Sequence, residues 1–163
     1  MHLVRLIIIP AVILVADQIS KYYVMKGMSP YQSIPVVDGL FNLTFVMNPG
    51  AAFGFLSGSS EQFRVPFFLT VSIIAIAVVI LFYLKAARDD LLLQIGLALI
   101  LGGALGNLID RVRFHEVVDF LDFYFKGYHW PAFNVADSAI TVGVAFLILE
   151  TLLSGRKRQG EVA

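Results

Sequence analysis

Residues 65–84 read VPFFLTVSIIAIAVVILFYL, twenty consecutive positions without a charge. A helix of about 20 residues crosses a hydrocarbon core roughly 30 Å thick, so this run has the length and the apolar continuity of a membrane span. Three further stretches qualify. Residues 3–25 open with LVRLIIIPAVILVA and carry Asp17, Gln18, Ser20 and Lys21 in their last turns. Residues 91–109 read LLLQIGLALILGGALGNLI, and the fourth span falls within 133–153, after Trp130 and Pro131. No repeat, linker or low-complexity tract divides them, so residues 1–163 form one membrane domain with outer loops at about 27–64 and 110–131.

Composition agrees. The chain is 58% hydrophobic and 15% charged, against roughly 45–50% and about 25% in soluble domains. A formal net charge of zero gives no basic field for nucleic acid. With no cysteine, disulfides, thiol nucleophiles and thiolate metal sites are excluded. Arg5 and the apolar run after it resemble the start of a secretory signal, but the run ends in Ala16-Asp17-Gln18 and further spans follow, so it reads as a retained helix.

Arg5 precedes the first span, Lys85 and Arg88 fill the turn between the second and third, and Arg156, Lys157 and Arg158 follow the fourth. The positive-inside rule places these, and both termini, in the cytoplasm, although Lys21, Lys26, Arg111 and Arg113 oppose it. Asp17, Lys21, Asn107, Asp110, Arg111, Asn134 and Asp137 then share one outer depth. Ionisable groups within spans are costly and mark functional sites.

Three local readings follow. In residues 41–47, FNLTFVM, larger apolar residues alternate with smaller or polar ones, which predicts a strand in a small outer sheet. It runs into Asn48-Pro49-Gly50-Ala51-Ala52-Phe53-Gly54, a break whose small residues admit a second chain closely, or a turn whose Phe53 and Phe55 dip into headgroups. Ser59 and Gln62 stand at capping-box spacing. Gly102 and Gly106 have the small-xxx-small spacing of close helix packing, which would bring Asn107 and Arg111 toward the aspartates of the fourth span.

Which chemistry the cluster performs is a separate question. A serine mechanism would rest on Ser138, with Lys21 as its base from another span. The run His115-Glu116-Val117-Val118-Asp119 narrowly misses a zinc-binding His-Glu-x-x-His helix, and Val117 and Val118 favour a strand. Paired carboxylates are the simplest hydrolytic device: one stays protonated, and the ionised partner activates water. The candidates are Asp17, Asp38, Asp110, Asp119, Asp122 and Asp137. Position favours Asp137, which begins a span beside Asn134, and Asp119, which follows the Val-Val run. A transporter would place polar groups near the midplane and show internal repeats; a non-catalytic scaffold would tolerate Asp-to-Asn changes.

Five segments, in order, carry a resemblance. They are Asp17-Gln18 with Lys21, Asn48-Pro49-Gly50-Ala51-Ala52-Phe53, Gly106-Asn107-Leu108-Ile109-Asp110-Arg111, Val117-Val118-Asp119-Phe120 and Phe133-Asn134-Val135-Ala136-Asp137-Ser138. Together they resemble the lipoprotein signal peptidases, or signal peptidase II, along nearly the whole chain; residues 122–131 match no motif. The resemblance implies a mainly α, polytopic fold of four transmembrane helices with a small extracytoplasmic β-sheet and a short surface helix. It implies a bacterial inner-membrane aspartic endopeptidase that cleaves diacylglyceryl-modified prolipoproteins on the amino-terminal side of the lipidated cysteine. By this likeness Asp119 and Asp137 are catalytic, and Asp17, Lys21, Asn48, Gly50, Asn107, Arg111, Asn134 and Ala136 bind substrate or support the site. No metal or organic cofactor is expected. The implied partners are the lipidated substrate, membrane lipids and the cyclic peptide globomycin, with the chain acting as a monomer. A lipidated substrate partitions into the bilayer, so a site at the outer interface meets its scissile bond at the right depth.

Overall fold

The computed structural model describes residues 2–51, 54–86 and 90–160, with the side chains of 155–160 excepted. Its elements run α1 (His2–Gly27), β1 (Ser33–Val37), β2 (Phe41–Asn48), α2 (Glu61–Lys85), α3 (Leu91–Phe114), β3 (Val117–Phe125), β4 (Tyr128–His129) and α4 (Val135–Gly160). All four helices are long and apolar enough to cross a membrane, with mean hydropathy from 1.8 to 2.8. Half of the apolar window of α3 is buried, against 11% in α1 and α2 and 17% in α4. So α3 is the central post, packed against the other three. The remaining helices turn Ile7, Val12, Ile74, Phe82, Ile148 and similar side chains outward, as lipid demands.

Glycines in α3 set those approaches. A Cβ on Gly102 would lie 2.9 Å from Pro10 Cα, and one on Gly106 would lie 2.6 Å from Asp17 Oδ2. This pair chiefly seats α1, and Gly106 also meets α4, where an added Cβ would lie 3.2 Å from Ala136 Cβ. Gly96 and Gly103 admit α4, where added methyls would meet the carbonyls of Gly143 and Ala136. Asp90 caps α3 by accepting the Leu93 N–H at 3.0 Å, and His115 ends it in the left-handed region with φ 62°.

At the end where α1 and α3 finish and α2 and α4 begin, the two longer connections build an antiparallel sheet in the order β1-β2-β3-β4. The predicted strand is β2. Its Phe45 is buried with Val118 and Phe120 of β3 and Val24 and Met28 at the end of α1, while Leu43 and Met47 pack beside them. This apolar plug fixes the sheet to the bundle. β1, with Pro35 at its middle, is exposed throughout, and the hairpin of β3 and β4 occupies much of the segment that matched no motif.

The capping-box expectation fails. α2 starts at Glu61 with Ser60 as its N-cap, and no side chain caps it. Between β2 and α2 the chain makes turns at residues 55–58, with Phe55 exposed. Ala52, Phe53 and Arg88 lie outside the described residues, as do the side chains of Arg156, Lys157 and Arg158. The His115-Glu116 pair does not begin a metal-binding helix. His115 ends α3 and bonds Glu61 at 2.7 Å, Glu116 faces Arg64 at 3.7 Å, and Val117 opens a strand.

Candidate active site

Asn134 stands immediately before α4, and its contacts set the site. The first N–H groups of a helix have no partner within it. Asn134 meets this need by a reciprocal cap: its Oδ1 accepts the Asp137 N–H at 2.9 Å, while its own N–H donates to Asp137 Oδ2 at 3.3 Å. The pattern is that of a capping box. Its Nδ2 points the other way and donates to Asp119 Oδ1 at 2.7 Å. One fully buried asparagine thus holds both Asp119, from β3, and Asp137, from α4.

Two more amides complete the hold. Asn48, at the end of β2, donates to Asp119 Oδ2 at 2.9 Å. Asn107, on α3, donates to Asp137 Oδ1 at 2.7 Å, and its own Oδ1 accepts from Asn134 and from Lys21, each at 3.2 Å. Burial, and next the charge of Asp137, push the Asp119 carboxyl up to about 7; the bonds from Asn48 and Asn134 and the charge of Lys21 pull the other way. Asp119 is therefore poised to hold a proton near neutral pH.

Behind the aspartates lies a buried ionic knot. Lys21 Nζ lies 2.8 Å from Asp17 Oδ2 and 2.7 Å from Asp110 Oδ2, and all three side chains are at most 1% exposed. Asp17 accepts the Ala136 N–H at 3.0 Å, and Asp110 accepts the Val118 N–H at 3.2 Å. Each carboxylate thus holds the residue just before one of the paired aspartates, and Lys21 ties the two together. Ala136 takes part through its main chain. Gln18 spans the same carboxylates, donating to Asp110 Oδ1 at 2.9 Å and Asp17 Oδ2 at 3.2 Å.

Gly50 donates its N–H to Asn48 Oδ1 at 3.0 Å and accepts from Arg111 Nη2 at 3.4 Å; a side chain there would run into the Phe55 carbonyl. The Arg111 guanidinium lies 4.9 Å from the Phe68 ring centroid. Asn48, Gly50, Asn107, Arg111, Asp119 and Asp137 line one side of a cavity of about 600 Å³, which Trp130, Pro131, Phe133 and Val142 complete with apolar surface. All ten residues expected at the site are brought together, six at the cavity wall and Asn134, Ala136, Asp17 and Lys21 behind it. Two further supports were not expected as such: Asp110, known from the sequence only as a member of the polar cluster and a candidate carboxylate, and Gln18, beside Asp17.

The alternatives find no matching geometry. Ser138 Oγ donates to the Asn134 carbonyl at 2.9 Å, while the Lys21 ammonium is committed to two carboxylates and an amide. Asp122 lies elsewhere on the sheet, bonded to Asn42 and His129. A carboxyl and a carboxylate beside one cavity can activate water and donate to a carbonyl oxygen without a covalent intermediate.

Membrane-crossing helices with a paired-aspartate cavity at one end place the molecule in the class of polytopic membrane peptidases of the aspartic type. The family described as Signal peptidase (SPase) II matches residues 9–153, and the chain belongs to that family. It is 54% identical over 145 residues to the lipoprotein signal peptidase of Geobacter sulfurreducens, covering 89% of each chain. It is 46% identical over 156 residues to that of Syntrophus aciditrophicus, covering 96% of this chain and 97% of the relative. A bacterial membrane enzyme solved by the in meso method at 2.3 Å resolution superposes with a TM-score of 0.83 at 38% identity, over 92% of this chain and 88% of the other.

Proposed function

We propose that this single-domain membrane peptidase cleaves prolipoproteins on the amino-terminal side of a diacylglyceryl-modified cysteine, with Asp119 and Asp137 as its catalytic pair. The observation that carries the reading is Asn134, which bonds Asp119 at 2.7 Å and caps reciprocally with Asp137. The two carboxyls share one proton. The ionised one takes a proton from water, which attacks the scissile carbonyl while the protonated one gives its proton to the carbonyl oxygen; the carboxyl that gained the water's proton then protonates the amide nitrogen, the C–N bond breaks, and the hydroxyl proton returns to the other carboxylate as the carbonyl re-forms. Asn48, Asn107 and Asn134 orient the pair, Gly50 and Arg111 shape the wall that receives the peptide, and Asp17, Lys21 and Ala136 hold the scaffold behind it. The apolar side of the cavity suits the lipid-modified residue.

In this reading the chain resides in the bacterial inner membrane with both termini cytoplasmic and the cavity at the outer face. It acts as a monomer surrounded by lipid, takes no cofactor, and is blocked by globomycin. The basic flanks support that orientation. The opposing votes of Lys21 and Arg111 have another explanation, since the first is buried in the ionic knot and the second lines the cavity.

The test is prolipoprotein processing by Asp119→Asn and Asp137→Asn, with membrane accumulation of each variant checked by immunoblot. Both are expected to accumulate and leave the precursor uncut. Normal processing by either removes the pair assignment, and loss of activity in Ser138→Ala with active aspartate variants would transfer the chemistry to the hydroxyl.

A further inference from the structure

Outside the paired aspartates and the ionic knot behind them, the one buried carboxylate among the described residues is Asp122. Alternation along β3 puts it on the face opposite Asp119, and it is 7% exposed. Its partners come from the strands on either side, β2 and β4. Asn42 Nδ2 of β2 donates to Oδ2 at 3.0 Å, Thr44 Oγ1 at 3.5 Å, and His129 Nδ1 of β4 lies 2.8 Å from Oδ1. The His129 ring stacks on Tyr124, with centroids 4.9 Å apart and planes 9° from parallel. Tyr124 in turn accepts the Gly39 N–H at 2.8 Å and so reaches the β1–β2 turn.

The next residues along the chain are the apolar wall of the cavity. β3 and β4 pair Tyr124 with His129, and a later bridge pairs Leu121 with Phe133. Three steps along β3 are therefore matched by four on the returning chain, so the stretch holding Trp130, Pro131 and Ala132 carries one extra residue, as a bulge does. Its far end is fixed by main-chain bonds: Leu121 N–H to the Phe133 carbonyl at 2.8 Å, and Phe133 N–H to the Leu121 carbonyl at 3.1 Å. Its near end is held by the Trp130 N–H to the Phe123 carbonyl at 2.8 Å and by the side chain of His129.

We propose that Asp122 and His129 form a positioning pair that sets this wall against the bound lipopeptide, and so governs affinity for substrate and not the rate of hydrolysis. This rests on the reading that the cavity beside Asp119 and Asp137 receives the substrate. The separation of roles follows from the two anchors. Phe133 leads directly into Asn134 and the cap of Asp137, so its main-chain bonds protect the catalytic geometry. Freeing His129 loosens only the other end of the wall. Neither member touches the reacting atoms.

The experiment measures kcat and KM separately for the full-length protein in detergent micelles, cleaving a fluorogenic peptide that carries a diacylglyceryl cysteine. His129→Ala is expected to raise KM about tenfold, equivalent to about 1.4 kcal/mol, with kcat within about twofold of the parent. His129→Asn keeps an N–H donor within reach of Asp122 and is expected to recover most of the lost affinity, an effect that generic loosening of the fold does not give. An unchanged KM in His129→Ala, a fall in kcat alone, or an Asn variant no better than Ala overturns the pair. Asp137→Asn run alongside separates the two readings. If it still cleaves, the site assignment falls and the inference with it; if it is dead while His129→Ala binds normally, only the positioning pair falls.

Discussion

Replacing Asn48 by alanine should move the alkaline limit of catalysis upward. The Asn48 amide donates to Asp119 Oδ2 at 2.9 Å, and a donor to a carboxylate favours its ionised form. It is one of the influences that oppose burial and the Asp137 charge in holding Asp119 near 7. A hydrogen bond to a charged group contributes about 1.5–3 kcal/mol, and 1.36 kcal/mol corresponds to one pKa unit, so its loss should raise Asp119 by about 1–2 units. Water entering the vacated space would favour the lower figure. In the proposed mechanism the pair needs one proton, and on the alkaline side that proton is lost. The alkaline limb of kcat/KM against pH, near 7 in the parent, should therefore shift up by about 1–2 pH units. The assay is the same fluorogenic cleavage, followed across both limbs, with Asn42→Ala as a control because Asn42 bonds Asp122 and not Asp119. A limb that stays in place or moves to lower pH would refute Asp119 as the group that loses the proton.

Three further outcomes are expected. Lys21→Met leaves Asp17 and Asp110 buried together without a cation, and thermal unfolding in micelles should show a loss of about 3–5 kcal/mol; adding Asp17→Asn and Asp110→Asn should restore much of it. Gly103→Leu drives a side chain into the Ala136 carbonyl and Ile140, so it should abolish activity and lower the melting temperature, whereas Gly127→Asn, at a turn with open space and φ 81°, should leave both nearly unchanged. Stability should also decline as pH rises from about 4 to about 7. In that window folded Asp119 keeps a proton that the unfolded chain releases, which is worth up to about 4 kcal/mol, and denaturant titrations of Asp119→Asn should show a flatter dependence.

The helices were legible because lipid demands long apolar runs, and residues 65–84 satisfy that demand without a single charge. Their ends were less so. α3 continues through Phe114, past the expected stop at 109, because Asp110 meets Lys21 from another helix and so does not end the buried segment. β2 showed its alternation, but β1 is a short exposed strand around Pro35, and the outer half of β3 interleaves aspartate with aromatics. Both strands exist through pairing with β2, and the partners of β3 are some 70 to 80 residues away in sequence, at Asn48↔Val117 and Phe41↔Phe123. Local pattern cannot reveal such pairing. Likewise the spacing of Asn134 and Asp137 is visible in one helical turn, whereas the contact from Asp110 to the Val118 N–H depends on a left-handed helix end at His115.

The site's place at the bundle end follows from the same main-chain chemistry. The first turn of α4 presents N–H groups that the helix cannot satisfy, and with Asn134 and Ala136 fully buried each unmet donor is costly. The N–H of Asn134 is taken by Asp137, that of Ala136 by Asp17 and that of Asp137 by Asn134. Strong acceptors therefore gather here before any catalysis is considered. Lys21 offsets the charge that gathering creates, and β3 enters beside it with Asp119 tied to the same asparagine. The proposed catalytic pair, with one member on a helix start and one on a strand, requires a level where helices stop and sheet begins. In the proposed function that level is the bilayer edge, where a peptide anchored by a lipid-modified residue would present its backbone.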